Sequence, residues 1–266
     1  MYKIMENKII EMIKKTPNVS KYYEQPYPNT KYKLEMIVAD IIYVLKTGVS
    51  WRDVRTKCNH CTLYYHYKRF VEHDIFGKVF RLLRKEYLED LKAENMLLLI
   101  DSTVVNNKFG VTKIGRNKYY KNKRCIKISM MTDGNGIPLS ILMMKGNKHD
   151  NTTFGRHIDD AIILCRRKKK LKVLADKGYC SKKNYELLDS KKIEHIIPPR
   201  RNMKLYETYK YSKTEYVKRN KIENTFARIK KLRRLDNRYD KKMKSMWGFV
   251  YMGCSVMVIE HMMRIK

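Results

Sequence analysis

The sequence predicts an α/β fold, in which a mixed sheet with the element order β-β-β-α-β-α-β-α follows a small all-α region. Two observations predict it. In the first part of the chain, apolar residues recur at helical spacing in several short segments. From Met96 onward, apolar runs and alternating segments take over, with the turn signal Asp133–Gly136 between two of them. We therefore expect two domains: a helical region at residues 1–92, and a sheet domain with a C-terminal helix at residues 93–266.

The N-terminal region carries the patterns of several short helices. The predicted elements are a helix at 3–14, a connector at Pro17–Tyr32, a helix at Leu34–Leu45, a turn at Trp51–Val54, a helix capped by Thr62 that continues to Phe70, and a helix capped by Asp74 that continues to about Leu91. The helix after Thr62 is basic and rich in Tyr. This favours a helix-turn-helix-like DNA-binding region with Tyr65, Lys68 and Arg69 as DNA contacts. A plain helical bundle with Tyr in its core explains the same pattern equally well.

The second region alternates strands and helices. The predicted strands are Met96–Ile100, Arg124–Thr132, Leu139–Met144, Leu171–Ala175 and Ile193–Ile197, and the predicted helices are Thr153–Cys165, Lys182–Ser190, Ser212–Leu235 and Met246–Ile259. The first three strands form a meander. The last helix is apolar but too short to span a bilayer, and we expect it to be buried.

The charge of the chain points to a polyanionic partner. There are 59 Lys plus Arg against 27 Asp plus Glu, for a net charge of +32. Nucleic acid is the expected polyanion, although charge alone does not separate DNA, RNA and a membrane surface. The six cysteines are scattered, which is typical of reduced intracellular thiols, and the N-terminus has no signal-peptide pattern. We expect an intracellular protein without membrane insertion.

The segment Ser212–Leu235 carries an unusual set of side chains. Ser212 and Glu215 form a capping-box pattern, and no Gly or Pro follows, so one long helix is expected. One narrow stripe of its helical wheel holds an aromatic ring, two cations and a carboxylate: Tyr216, Arg219, Lys230 and Glu223. A charge pattern at i, i+4 on a solvated face is the simpler explanation of this segment taken alone.

Two aspartates change that interpretation. Asp101 and Asp176 each directly follow a predicted buried strand. Either one alone is explained as a residue that ends a strand or caps a helix. With Glu223 projecting from a helix that can pack on the same sheet, the three acids form a cluster whose repulsion requires a divalent cation. Carboxylate oxygens suit Mg²⁺, with Mn²⁺ as a substitute.

These residues resemble the motifs of the DDE transposases of bacterial insertion sequences, close to the groups numbered four and five. The motifs that carry the resemblance are Ile100–Thr103, Asp133–Pro138, Gly146–Asp150, Ala175–Tyr179, Ile197–Asn202, and Tyr43–Gly48 with Trp51–Asp53. The family's helix signature Tyr-x2-Arg-x3-Glu-x6-Lys fits Tyr216, Arg219, Glu223 and Lys230 at every spacing. The resemblance covers nearly the whole chain.

The resemblance implies a ribonuclease-H-like catalytic domain with Asp101, Asp176 and Glu223 as catalytic metal ligands. It further implies two Mg²⁺ ions, about 3.5–4 Å apart, that serve in-line displacement at phosphorus. The implied substrates are double-stranded DNA at the terminal inverted repeats and target DNA, bound by a homodimer. Tyr216, Arg219 and Lys230 are then expected to hold phosphates of the transposon end, which positions DNA without reading its sequence.

Some features stay open at this point. The segment Asn106–Lys123 is rich in Lys and Tyr where relatives often carry paired glycines, and Asp176 to Glu223 leaves no room for an insertion domain. His149-Asp150 fits a structured turn as well as a place near the site, and neither is assigned as a metal ligand. Cys58-x-x-Cys61 is a single pair, which is weak evidence for zinc. A catalytically silent DNA-binding protein derived from a transposase, and a nuclease that cuts without joining, are the alternative functions.

Overall fold

The computed structural model describes residues 2–16, 32–203 and 207–265. The chain forms two compact units. One, the helical unit, comprises Met1–Asp90, Asn106–Thr112 and Ile229–Lys266; the other, the sheet unit, comprises Leu91–Val105 and Lys113–Arg228. The predicted division after residue 92 remains a prediction. The chain passes twice from the helical unit to the sheet unit and back. The C-terminal helix therefore belongs to the same unit as the N-terminal helices.

The helices of the described residues, in chain order, are as follows. They are α1 (Tyr2–Lys14), α2 (Leu34–Thr47), α3 (His60–Glu72), α4 (Ile75–Asp90), α5 (Phe154–Leu164), α6 (Lys182–Ser190), α7 (Lys213–Tyr216), α8 (Asn220–Lys230), α9 (Arg233–Asp236) and α10 (Met243–Ile265). Short 3₁₀ turns occupy Trp51–Asp53, Asp150–Thr153, Lys177–Tyr179 and Val217–Arg219. The predicted connector Pro17–Tyr32 lies, except for its last residue, outside the described residues.

The strands form a mixed sheet. They are β1 (Asn95–Asn107), β2 (Gly115–Asn117), β3 (Lys123–Asp133), β4 (Pro138–Lys145), β5 (Lys170–Ala175), β6 (Glu194–Ile196) and β7 (Asn237–Arg238). The order across the sheet is β4-β3-β1-β5-β6, with β2 beside β3 and β7 beside the far end of β1. Strands β3 and β4 are antiparallel, whereas β5 is parallel to both β1 and β6. This is the predicted ribonuclease-H-like arrangement: a meander followed by parallel strands.

The central strands are apolar because both faces are covered. Leu98, Leu99 and Ile100 of β1 are completely buried, as are Val173 and Leu174 of β5. Such continuous apolar runs are typical of strands with helices on both faces, in contrast to the alternation of a half-exposed strand. The turn Asp133–Gly136 works as predicted: the Asp133 carboxylate accepts from the backbone N–H groups of Asn135 and Ile137, and Gly136 takes φ 79°.

The helical unit is built around α10, which is buried over Met246–Ile259 apart from Trp247 and Tyr251. Tyr67 of α3 stacks on Phe249 with the ring centroids 4.5 Å apart, and its hydroxyl donates to the Ser245 carbonyl. At least this tyrosine therefore serves the core. No helix among the described residues has both the length and the apolar character needed to cross a membrane.

Three local predictions were wrong. The strand β1 does not end before Asp101 but continues to Asn107, because its later residues find other partners in the sheet. The N-cap of α3 is Asn59, whose side chain accepts from the Cys61 N–H at 2.8 Å, so Thr62 lies inside the helix. The predicted single helix Ser212–Leu235 is divided into α7, a 3₁₀ turn, α8 and α9.

A buried histidine joins α5 to the meander. His157 is completely buried, with its Nε2 2.9 Å from the Ser129 hydroxyl of β3 and its Nδ1 2.8 Å from the Ser140 hydroxyl of β4. The Ser140 hydroxyl donates to the Asp160 carboxylate, so it accepts from Nδ1–H, and Nε2 accepts from Ser129. Burial lowers the pKa of His157 to about 3. The ring is therefore held in one neutral tautomer.

This burial predicts a specific loss of stability in acid. The unfolded His titrates near 6.5, so between about pH 6.5 and the folded pKa the unfolded chain binds a proton that the folded chain excludes. The free energy of unfolding should fall by about 1.4 kcal/mol per pH unit within that window because of this group. Urea unfolding of the wild type and of His157→Gln between pH 7 and 4.5 measures it. His157→Gln should show a shallower fall, while the exposed control His73→Gln should follow the wild type; parallel curves for all three would contradict the assignment.

Candidate active site

The register of β1 and β5 places two carboxylates side by side. Their parallel pairing runs from Asn95↔Lys170 to Ile100↔Ala175, so Asp101 and Asp176 occupy the next pair of positions. Paired positions on parallel strands project to the same face of a sheet. The predicted proximity of Asp101 and Asp176 thus arises even though β1 continues beyond Asp101. What ends there is the pairing with β5.

Asp176 also has a local structural role. It is the N-cap of the 3₁₀ turn Lys177–Tyr179, and its Oδ1 accepts from the Gly178 N–H at 3.2 Å. The capping explanation is therefore correct for this residue. One oxygen engaged by one backbone N–H leaves further acceptor capacity on the carboxylate, so capping and ligation are compatible.

Asp101 lies in a demanding environment. Its side chain is only 21% exposed, and burial raises its pKa to about 6. The Ser102 N–H, which donates to Oδ1 at 2.8 Å, and the Arg219 guanidinium act in the opposite direction. The charges of Asp176 and Glu223 raise the pKa further. Both acids are therefore close enough to Asp101 to repel its ionised form.

Arg219 connects two of the three acids. Its Nη1 donates to Asp101 Oδ2 at 3.0 Å, and its Nη2 donates to Glu223 Oε1 at 2.6 Å. The Arg219 side chain is 14% exposed, and its guanidinium carbon lies 5.8 Å from the centroid of the Tyr216 ring. Charge-assisted bonds of this length are strong, and the planar fork of arginine fixes the relative position of both carboxylates.

The broken helix still delivers the signature residues. Ser212 Oγ accepts from the Glu215 N–H at 3.2 Å, which is one half of the predicted capping box. The turn Val217–Arg219 then winds with about 3.0 residues per turn, so a wheel at 100° per residue does not hold across it. Arg219 and Glu223 nevertheless meet at i, i+4, since α8 begins directly after that turn.

The remaining predicted DNA contacts lie in the helical unit. Lys230 is the last residue of α8, the helix that also carries Glu223, and it is assigned to the helical unit. On α3, Tyr65 and Lys68 are exposed and Arg69 is half-buried, with Arg69 Nη1 donating to the Tyr65 hydroxyl at 2.9 Å. These three share an outward face of their helix. Their role as DNA contacts stays a prediction.

The structure also shows an ion pair, between Asp150 and Lys127, next to Ser102, the residue that follows Asp101. The Asp150 carboxylate accepts from the Ser102 hydroxyl at 2.5 Å and from Lys127 Nζ at 2.9 Å. His149 Nδ1 accepts from the Asn151 N–H, as in a structured turn. Asp150 is thus neutralised by Lys127 and positions Ser102. The signal for it in the sequence was Lys127, which stands between the apolar residues Ile126 and Ile128 and needs a partner if it is buried.

The carboxylate oxygens of Asp101, Asp176 and Glu223 are the type of ligand that a hard divalent cation prefers. These three carboxylates repel each other at Asp101, which is the situation that a metal ion relieves. Within residues 2–16, 32–203 and 207–265, no three His, Cys, Asp or Glu side chains lie close enough together to hold a metal ion in this conformation. At Asp101 and Glu223 the positive charge is supplied by Arg219 instead. Cys58 and Cys61 likewise belong to no such group among the residues that the structure describes.

Comparison with known families decides the identity of the chain. Residues 92–249 match the family described as "Transposase DDE domain", and this segment includes Asp101, Asp176 and Glu223. The chain belongs to this family. It is therefore a DNA transposase, an enzyme that acts on DNA and depends on divalent metal ions. No curated protein matches the chain.

Solved structures similar to the chain include three of Mos1 transposase. The catalytic domain of Mos1 mariner transposase shares 12% identity, with 70% of this chain and 94% of that chain covered and a TM-score of 0.29. The Mos1 paired-end complex with left transposon end gives 11% identity, coverages of 81% and 82%, and a TM-score of 0.28. The Mos1 strand transfer complex gives 9%, 86% and 80%, and a TM-score of 0.28. Similarities this distant carry no argument about the site.

Proposed function

We propose that this transposase cleaves and joins DNA at the ends of an insertion-sequence-type mobile element, with Asp101, Asp176 and Glu223 as its metal ligands. The observation that carries the proposal is the set of positions of the three acids. Two follow the last parallel pair of β1 and β5, and the third is fixed to Asp101 through one guanidinium. Two Mg²⁺ ions, or Mn²⁺ in their place, would supply an activated water or 3′-hydroxyl and stabilise the leaving oxygen.

The residues of the chain would divide the remaining work. Asp101 lies on β1, the central strand of the sheet, and the rigid backbone of this strand holds its carboxylate in position. Asp176 is held by its turn, while Glu223 comes from α8 and is more exposed, at 54%. Tyr216 and Arg219 lie beside them and would hold a phosphate of the transposon end, with Lys230 contacting the backbone further along.

The proposed partners follow from the same chemistry. The substrates are double-stranded DNA at the terminal inverted repeats and the target DNA, bound by a homodimer. The net charge of +32 supports sequence-independent phosphate contacts over a large surface. The protein would act where its DNA is, in a bacterial cytoplasm or nucleoid, or in the nucleus of a eukaryotic host.

Removing a carboxylate should abolish chemistry without preventing DNA binding. Asp176→Asn and Glu223→Gln should each lower strand cleavage of a labelled transposon-end duplex with Mg²⁺ by more than about a hundredfold. The matched control is Glu186→Gln, an exposed acid on α6 whose loss should leave cleavage unchanged. Gel-shift affinity should stay close to that of the wild type in all three. Normal joining by Asp176→Asn would rule out the metal set.

The products of that assay also separate the alternative functions. Cleaved ends without joined products would identify a nuclease that cuts without joining. Binding with no cleavage by the wild type, on its own element ends and with either Mg²⁺ or Mn²⁺, would identify a silent DNA-binding protein. Joined products that form with the wild type but not with Asp176→Asn or Glu223→Gln would identify the active transposase.

The outward face of α3 gives a separate prediction. Lys68→Gln should weaken DNA binding and reduce the log–log salt slope by about 0.9, because one phosphate contact is lost. The matched control is Lys85→Gln on α4, an exposed lysine whose ammonium lies 3.9 Å from Glu89. Fluorescence anisotropy with a labelled duplex at several salt concentrations measures both slopes. Equal slopes for the two variants would remove α3 from the DNA interface.

A further inference from the structure

The Arg219 guanidinium occupies the place in which the proposed site needs a cation. It takes Oδ2 of Asp101 and Oε1 of Glu223, while Oδ1 of Asp101 already accepts from the Ser102 N–H. Both oxygens of Asp101 are therefore engaged by protein donors. A divalent ion that binds these carboxylates must compete with a positive charge at hydrogen-bond distance from two of them.

The same guanidinium is not fully satisfied where it is. Its Nε is buried and has no hydrogen-bond partner among the described residues. A planar fork with one unpaired donor favours a ligand that offers several acceptor oxygens at once, and a phosphate does so. Tyr216, which directly precedes the turn that holds Arg219, lies with its ring against the guanidinium and would keep contact with it during a small movement.

We infer that Arg219 is a counter-ion of Asp101 and Glu223 that is displaced when a divalent cation and a DNA phosphate bind together. The cation takes over the carboxylates, and the phosphate takes over the guanidinium with its free Nε. Each ligand therefore makes the other bind more tightly, since coupling between two sites is reciprocal. The inference rests on the proposed function, because it assumes that Asp101 and Glu223 are metal ligands.

Calorimetric titration of Mn²⁺ into the DNA-free full chain tests the displacement. Removing the charge in Arg219→Gln should tighten Mn²⁺ binding about tenfold, from the repulsion between a divalent ion and a unit charge about 5 Å away in water. Arg219→Lys keeps a charge but cannot span both carboxylates, and should tighten binding by a smaller factor. Thermal unfolding beforehand checks that each variant folds, and the Lys variant carries the test if the Gln variant does not.

Glu223→Gln separates the two levels of the argument. If Glu223→Gln weakens Mn²⁺ binding but neither Arg219 variant tightens it, the displacement is wrong and the metal set stands. If Glu223→Gln leaves Mn²⁺ binding unchanged, the metal set and the displacement both fail. Added transposon-end duplex should tighten Mn²⁺ binding in the wild type by a larger factor than in Arg219→Gln; equal factors would overturn the coupling.

An independent observation concerns the opposite end of β5. Arg166 with Lys168–Lys170 and the pair Lys191–Lys192 lie apart in the sequence but line one open cavity of about 400 Å³, which we call the basic cleft. It lies where β5 begins, whereas Asp176 lies where β5 ends. A strand of this length places the two about 20 Å apart.

Ordinary stabilisation accounts for part of this charge. Lys168 donates to the carbonyls of Leu91 and Ala93, and Lys169 pairs with Glu94. The C-terminal ends of α5 and α6 also favour nearby cations. Within the described residues, Arg166, Lys170, Lys191 and Lys192 have no recorded ion pair, and Glu194 is the one acid lining the cleft. The cations exceed what the local structure requires.

We propose that the basic cleft binds the phosphate backbone of a second stretch of duplex DNA, separate from the stretch at the acids. The test is anisotropy with a duplex of about 30 base pairs and arbitrary sequence. Lys170→Gln, Lys191→Gln and Lys192→Gln together should weaken binding and reduce the log–log salt slope by up to about 2.7, while Arg at the same three positions should preserve both. A Gln triple variant that folds with an unchanged slope would overturn the proposal.

Discussion

The parallel pairing of β1 with β5 is the constraint on which the candidate site depends. It ends at Ile100↔Ala175, so the next residue of each strand is an aspartate, and both carboxylates emerge at one point of the sheet. Apolar side chains that are completely buried on both strands hold this register, since a slip by one residue would break their close packing against their neighbours. The packing of the sheet thus enforces a charge repulsion that no local feature of either strand would favour.

The carboxylates near this point of the sheet are paired with cations in two different ways. Asp150 is paired with Lys127, whose ammonium also donates to the Lys148 carbonyl, so this pair has few open donors. Asp101 and Glu223 share Arg219, whose Nε has no hydrogen-bond partner within the described part of the chain. The first arrangement is closed and serves to position Ser102. The second leaves both the cation and the carboxylates able to change partners, which is what a site that exchanges ligands requires.

Much of the sheet and of the candidate site could be predicted from the sequence. Continuous apolar runs predicted β1 and β5, the turn Asp133–Gly136 predicted the hairpin of β3 and β4, and the aspartates after the apolar runs predicted the meeting of Asp101 and Asp176. These features are local, because each depends on a few consecutive residues and a strand or turn preference. The spacing of Arg219 and Glu223 was likewise enough to predict that they share a face.

The features of the candidate site that could not be predicted depend on contacts between residues far apart in the chain. Arg219 lies 118 residues from Asp101, and helical periodicity gives no sign that its guanidinium would turn to that carboxylate. The 3₁₀ turn before α8 contains no Gly or Pro that would predict it from the sequence. It nevertheless determines which side chains of the segment lie on the same face. Since the turn lies directly between Tyr216 and Glu223, the position of the third acid is decided by tertiary packing rather than by helix propensity. An element that local sequence patterns do not predict therefore positions the third acid of the candidate site.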